Sequence, residues 1–119
     1  MDNRAIGVFD SGLGGLTAVR RLQEIMPQER IIYFGDTGRV PYGTRGRDII
    51  IKYARQDVAF LRQFDLKAII VACNTVSSVA LDLLGEENDI PIIGTVEPAC
   101  RRALRETKNG RIGVIGTVA

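Results

Sequence analysis

Five short apolar runs rich in isoleucine and valine alternate with amphipathic helical periods, and this alternation constrains the fold more than any other feature of the chain. The runs are Ala5 to Phe9, Ile31 to Phe34, Ala68 to Ala72, Ile92 to Thr95 and Ile112 to Ile115. Runs that are apolar throughout, instead of at every second residue, suit strands covered on both faces, as in a parallel sheet. Between them lie stripes at helical spacing: Leu16, Val19, Leu22 and Met26, then Ile50, Tyr53, Ala54, Val58 and Leu61, then Val76, Val79, Ala80, Leu83 and Leu84. Pro27 closes the first helix and Gly85 the third, while Pro98 marks the start of a fourth through Cys100, Ala103 and Leu104. Strand alternating with helix predicts an α/β fold, an open parallel sheet with helices on both faces.

A weak internal repeat adds to this expectation. Ala5-Ile6-Gly7-Val8-Phe9-Asp10-Ser11 recurs as Arg111-Ile112-Gly113-Val114-Ile115-Gly116-Thr117. The repeat reads as a second unit beginning, so the chain is expected to be the first of two pseudo-symmetric domains, truncated at the start of the second. The plainer alternative is chance recurrence of strands of this type in an α/β protein.

Composition narrows the function classes. With 119 residues, 45% hydrophobic and 25% charged, the chain has the make-up of an ordinary globular domain with a core of its own. Sixteen Lys and Arg against fourteen Asp and Glu leave a net charge of +2, too balanced to suggest a nucleic-acid partner. Two cysteines, Cys73 and Cys100, form no CxxC pair, and there is no histidine, so the usual ligands for zinc, copper or haem are missing. No apolar run approaches the ~18 residues needed to span a membrane, and the first residues do not read as a signal peptide. The expectation is a cytoplasmic protein.

Ligands of open α/β sheets bind beyond the carboxyl ends of the strands, and three such ends carry reactive or ligand-binding residues. The first is Asp10-Ser11-Gly12-Leu13-Gly14-Gly15. Its glycines allow close backbone approach, and the helix that follows offers N–H donors to an anion. Gly12 and Gly14 form GxG, and Asp36 stands near the place of a ribose-binding acid, so a dinucleotide site is one reading. Thr17 occupies the position of the third glycine, however, and Asp10 would repel a pyrophosphate. A ligand with an ammonium group suits Asp10 better. The alternative, that Asp10 and Ser11 simply cap the first helix, stays open. The second strand leads into Gly35-Asp36-Thr37-Gly38-Arg39-Val40-Pro41-Tyr42-Gly43-Thr44, a long loop in which Tyr42 and Gly43 are the stronger candidates and Arg39, Arg45 and Arg47 are expected to be solvated. The third ends in Ala72-Cys73-Asn74-Thr75, a thiol just ahead of a helix N-terminus, where cysteines become reactive. Asp10 at a neighbouring strand tip would oppose the thiolate or take the thiol's proton. Cysteine after an apolar strand is otherwise commonly buried and inert, and that is the expectation for Cys100 within its helical stripe.

Taken together, FDSGLGGLT at 9–17, GDTGRVPYGT at 35–44, ACNTVSS at 72–78 and IGVIGT at 112–117 resemble the amino-terminal half of bacterial glutamate racemases, within the wider group of cofactor-independent amino-acid racemases. Gly38 and Val76 stand where that family more often has alanine, and neither change removes a functional side chain. The resemblance implies a two-domain α/β isomerase interconverting L- and D-glutamate, without metal or pyridoxal phosphate, to supply D-glutamate for peptidoglycan. Two cysteines would work on opposite faces of the substrate Cα. Cys73 matches the one that deprotonates D-glutamate, and Asp10 the carboxylate assisting it. Ser11, Tyr42, Gly43, Asn74 and Thr75 match substrate-contacting positions, and Thr117 falls in a further pocket-lining segment. The resemblance also implies a first domain over 1–97 and the start of a second over 98–119, which separates the fifth apolar run from the sheet of the first four. The second cysteine would lie in a Gly-Cys-Thr-His segment of the carboxyl half, which this chain does not contain, so the chain alone is expected to be inactive. The partners implied are glutamate and that carboxyl half; a homodimer stays open. Aspartate racemase, or a non-catalytic module binding an amino acid or nucleotide in the same crevice, are the competing readings.

Overall fold

In the computed structural model, which describes residues 1–119, four of the five apolar runs form one parallel sheet. Its strands are β1 (Ala5–Asp10), β2 (Ile31–Gly35), β3 (Leu66–Val71) and β4 (Ile92–Ile93), in the spatial order β2-β1-β3-β4. The central strand β1 is buried along all six residues, as its uninterrupted apolar character requires. It pairs Val8 with Tyr33 of β2 on one side and with Ile70 of β3 on the other.

Helices cover both faces, and the two-residue period of the strands divides the core between them. Ile6 and Val8 point to one face, where they meet Leu22 together with Val19, Met26, Tyr33 and Ile70. That layer is closed by α1 (Leu16–Ile25). Ala5, Phe9, Ile69 and Val71 point to the other face and build the larger core with Ile50, Ala54, Val58, Leu61, Val76 and Leu84. Those partners come from α2 (Arg47–Leu61), α3 (Asn74–Val79) and α4 (Leu81–Glu87).

Several local expectations are corrected by the structure. The third helical period is two helices, because Ala80, with φ −129°, bends the backbone between α3 and α4. Gly85 does not end that stretch: it lies within α4, and the side-chain amide of Asn88 caps the helix by donating to the Leu84 carbonyl at 2.7 Å. The last helix, α5 (Val96–Glu106), begins two residues before Pro98, which is tolerated there because first-turn N–H groups have no intrahelical acceptor. No residue of α5 is buried, and Cys100 is exposed, contrary to the expectation of a buried, inert thiol. The fifth apolar run is likewise no buried strand: residues 111–119 form neither helix nor strand, and Val114, Ile115 and Val118 are fully exposed or nearly so.

Candidate functional site

Because all four strands run in parallel, their carboxyl ends collect on one edge of the sheet, and a crevice of about 640 Å³ opens there. Asp10 and Ser11 come from the tip of β1, Cys73, Asn74 and Thr75 from the turn joining β3 to α3, and Thr95 from the end of β4. Gly14 and Gly15 form one wall and Gly116 and Thr117 another. Six of the eight residues singled out from sequence thus line one cavity; Tyr42 and Gly43 do not.

Asp10 is buried, and its carboxylate accepts the Gly15 N–H at 2.8 Å. Gly15 has to be glycine because a Cβ there would lie 2.7 Å from the Asp10 Cβ and 3.0 Å from that of Ala72. The next N–H groups of the turn are also used: Leu16 donates to Leu13 O, Thr17 to Gly14 O, and Ala18 and Val19 to Gly15 O. The start of α1 therefore has no free donors for a ligand carboxylate or a pyrophosphate, and the expectation that it would offer them is not met. A dinucleotide in the GxG loop would have to displace Asp10 from Gly15 and accept its charge. Asp36 is no ribose acceptor, since it is buried and engaged by Arg39 and Tyr42. The negative charge of Asp10 also reaches Tyr33, whose phenol is raised above its usual value by burial and then by Asp10.

At the next tip, Cys73 is the N-cap residue of α3 and is 5% exposed. Its thiol lies 3.6 Å from Ser11 Oγ, which places sulfur and hydroxyl side by side on the crevice floor. The first i to i−4 bond of α3 runs from Ser77 N to Cys73 O, so the N–H groups of Asn74, Thr75 and Val76 precede the ladder, and of these residues Asn74 and Thr75 line the crevice. Asn74 is held by Thr95, whose hydroxyl donates to Asn74 Oδ1 at 2.7 Å, while Thr95 N donates to Ser77 Oγ at 3.2 Å. That bond engages the Asn74 amide oxygen and leaves its NH₂ group as the donor still to be used. Thr95 is not among the residues that the sequence motifs point to, although its place beyond the end of β4 is the same signal that marks Ser11 and Cys73.

The loop after β2 takes another course. Tyr42 is buried at 1% exposure, and its hydroxyl points away from the crevice, between Asp36 and Asp57. Asp57 Oδ2 lies 2.6 Å from that hydroxyl. Arg39 donates from Nε to Asp36 at 2.7 Å and from Nη2 to Asp57 at 3.1 Å, and its guanidinium sits 4.0 Å from the Tyr53 ring centre. Arg39 is therefore not the solvated side chain expected. Burial pushes the Asp57 carboxyl up to about 7; Tyr42 and Arg39 oppose that shift, and the neighbouring Asp36 charge adds to it. The Tyr42 phenol is driven well above its ordinary value, by burial first and then by the two carboxylates. Gly43, next in the chain, lies against Thr117, and a Cβ there would fall 2.6 Å from the threonine side chain. The loop thus meets the crevice wall from behind, where Gly43 packs on Thr117, and not through the Tyr42 ring. Asp57 was not singled out in the sequence, yet it falls on the apolar stripe of α2 with Ile50, Ala54 and Leu61, where a carboxylate is out of place.

The family model for Asp/Glu/Hydantoin racemase matches residues 15–119. A glutamate racemase from Chlorobaculum tepidum is 55% identical over 96% of this chain, and one from Geobacter metallireducens is 49% identical over 96%. The chain spans 42% of the length of each of these relatives. Among solved structures, glutamate racemase isoform RacE1 from Bacillus anthracis superposes with a TM-score of 0.95 at 46% identity, covering 99% of this chain and 44% of that one. The glutamate racemase from Francisella tularensis, solved in complex with D-glutamate, is 55% identical with a TM-score of 0.75, over 79% of this chain and 36% of that one.

Proposed function

This chain belongs to the Asp/Glu/Hydantoin racemase family, and from that premise we propose that the protein carrying it interconverts L- and D-glutamate by proton transfer at Cα. The observation that carries the reading is the meeting, in one crevice, of the Cys73 thiol, the Asp10 carboxylate and the donors around Asn74. Glutamate is an apt ligand for it. Asp10 suits the α-ammonium group, while Asn74, Thr75 and Thr117 suit the carboxylates. Cys73, as thiolate, takes the Cα proton, and Asp10 assists by exchanging the thiol proton. The resulting carbanion passes its charge to the α-carboxylate, where the α3 donors stabilise it.

Reprotonation on the opposite face needs a second base, which on this reading comes from the remaining half of a protein of the relatives' length. Residues 1–97 then form one domain and 98–119 open the next. The repeat supports that division, because its equivalent residues Ser11 and Thr117 both line the crevice. The exposed apolar side chains of residues 112–118 support it also, as surface awaiting cover. A cytoplasmic enzyme making D-glutamate for peptidoglycan, and so serving the cell's wall and shape, follows from the same reading. No helix here is long and apolar enough to cross a membrane.

The test is racemisation by the intact protein, followed by circular dichroism of glutamate and by solvent deuterium entering Cα. Cys73→Ala should abolish turnover from D-glutamate. Ordinary activity in that variant would remove the role given to Cys73, and faster turnover of aspartate than glutamate would move the substrate to the shorter acid.

A further inference from the structure

Two buried carboxylates, Asp36 and Asp57, face a single tyrosine hydroxyl, and the proton count of that arrangement has a consequence for the crevice. A phenol has one proton to donate and can accept one hydrogen bond in return. With both carboxylates ionised, Tyr42 could satisfy only one of them, and its oxygen lone pairs would face the other at 2.6 Å with no proton between. One further proton completes the chain: the protonated carboxyl donates to Tyr42, and Tyr42 donates to the ionised one. Arg39, bonded to both carboxylates, then balances the single remaining charge.

We propose that Asp36 and Asp57 hold one proton between them through the Tyr42 hydroxyl, and that this shared proton positions Gly43 behind Thr117, and through it Thr117 in the wall of the substrate crevice. Asp57 is then a positioning residue, acting through Tyr42, and the inference rests on the glutamate reading only for its effect on substrate. The mechanical path is short. Tyr42 precedes Gly43, Gly43 packs on Thr117, and Thr117 lines the crevice. On the other side Asp36 N–H donates to the Asp10 carbonyl at 2.9 Å, so the same cluster is tied to the tip of β1. The charged and polar groups around the pair are Arg39 and Tyr42 from the loop and Tyr53 and Gln56 from α2, with Arg45 6.0 Å from the Tyr53 ring. Arg39 is the one cation bonded to the pair, so no second positive charge compensates loss of the proton. The upward displacement of the Asp57 carboxyl agrees with a proton retained into the neutral range.

Carboxyl ¹³C and amide ¹⁵N resonances of the intact protein, followed from pH 5 to 9, test this without requiring activity. One carboxyl of the pair should titrate between about pH 6 and 8, and the Gly43 and Thr117 amides should move with the same midpoint. Asp57→Asn, whose amide donates to Tyr42 at every pH, should abolish the midpoint in those amides. In the glutamate assay the wild-type KM should rise above neutral pH, and Asp57→Asn should leave kcat within about twofold and remove that rise. Titration of both carboxyls below pH 5, or Gly43 and Thr117 amides indifferent to the pair, would overturn the inference. Should Asp57→Asn fail to fold, the wild-type titration decides alone. A normal titration in a protein that turns over glutamate defeats this inference and spares the functional reading; a shared proton in a protein that does not racemise glutamate does the reverse.

Discussion

Alanine at Gly15 should destabilise the fold although the backbone there is helical and strain-free, with φ −63° and ψ −13°. On conformational grounds alone the change would stabilise by about 0.4–1 kcal/mol, since alanine has less freedom to lose on folding. Space decides the opposite sign. The new methyl would lie 2.7 Å from the Asp10 Cβ, 3.0 Å from the Ala72 Cβ and 3.1 Å from Tyr33 Cε2. Two of these atoms are fixed directly to the backbone at strand tips, and the Tyr33 ring is held by its hydroxyl bond to Gly12 O at 2.8 Å. No rotamer change relieves the contact, so the backbone must move, at a cost of about 1–3 kcal/mol. That movement also weakens the charge-assisted bond from Gly15 N–H to Asp10, worth a further ~1.5–3 kcal/mol if lost outright. The net expectation is a loss of about 1–3 kcal/mol, together with reduced racemisation as Asp10 shifts. Gly85→Ala is the internal control: it lies within α4 with nothing within 4 Å of its Cβ position, and should gain about 0.5–1 kcal/mol. Urea unfolding followed by circular dichroism, with m-values compared, reads both. A Gly15→Ala protein as stable as the wild type would refute the reasoning.

Two further outcomes concern the core and the buried pair. Leu61, fully buried beneath the sheet, should cost about 2–5 kcal/mol when changed to alanine, measured in the same urea series. Asp57 has a folded-state carboxyl raised to about 7, so between the ordinary carboxylate range and pH 7 the folded protein holds a proton that the unfolded chain has released. Its contribution is fullest below about pH 4 and declines as pH rises through about 7. The difference in unfolding free energy between wild type and Asp57→Asn should therefore change by a few kcal/mol from pH 5 to pH 8, with the wild type losing ground. A difference independent of pH would show that Asp57 is ionised throughout.

How far the sequence could be read depended on whether a feature was local. The strands and the faces of α1 and α2 follow from apolar periodicity, and Asp10, Ser11, Cys73, Asn74 and Thr75 could be placed at strand tips because parallel strands bring their carboxyl ends together. The split at Ala80 and the Asn88 cap were hidden, because each depends on one backbone angle or one side-chain bond within an otherwise unbroken helical pattern. Tyr42 lies in a loop whose sequence points to ligand contact, but its ring turns inward, since Asp57 supplies a buried acceptor from α2. Cys100 and the last apolar run read as core from their apolar pattern, yet in the fold both are exposed.

What the sequence determined by itself was the architecture and its reactive edge: apolar runs that must be covered on both faces force a parallel α/β sheet, and the sheet's polarity gathers the polar tips. What only the tertiary structure decided was the use made of individual polar groups. Asp10 takes a backbone N–H at the start of α1, Thr95 orients Asn74, and Asp36, Arg39, Tyr42 and Asp57 close on one another away from the crevice. The physical reason is range. Hydrophobic periodicity is written in neighbouring residues, whereas a buried polar group must find its partner wherever the fold brings one, and that choice exists only once the chain has been packed.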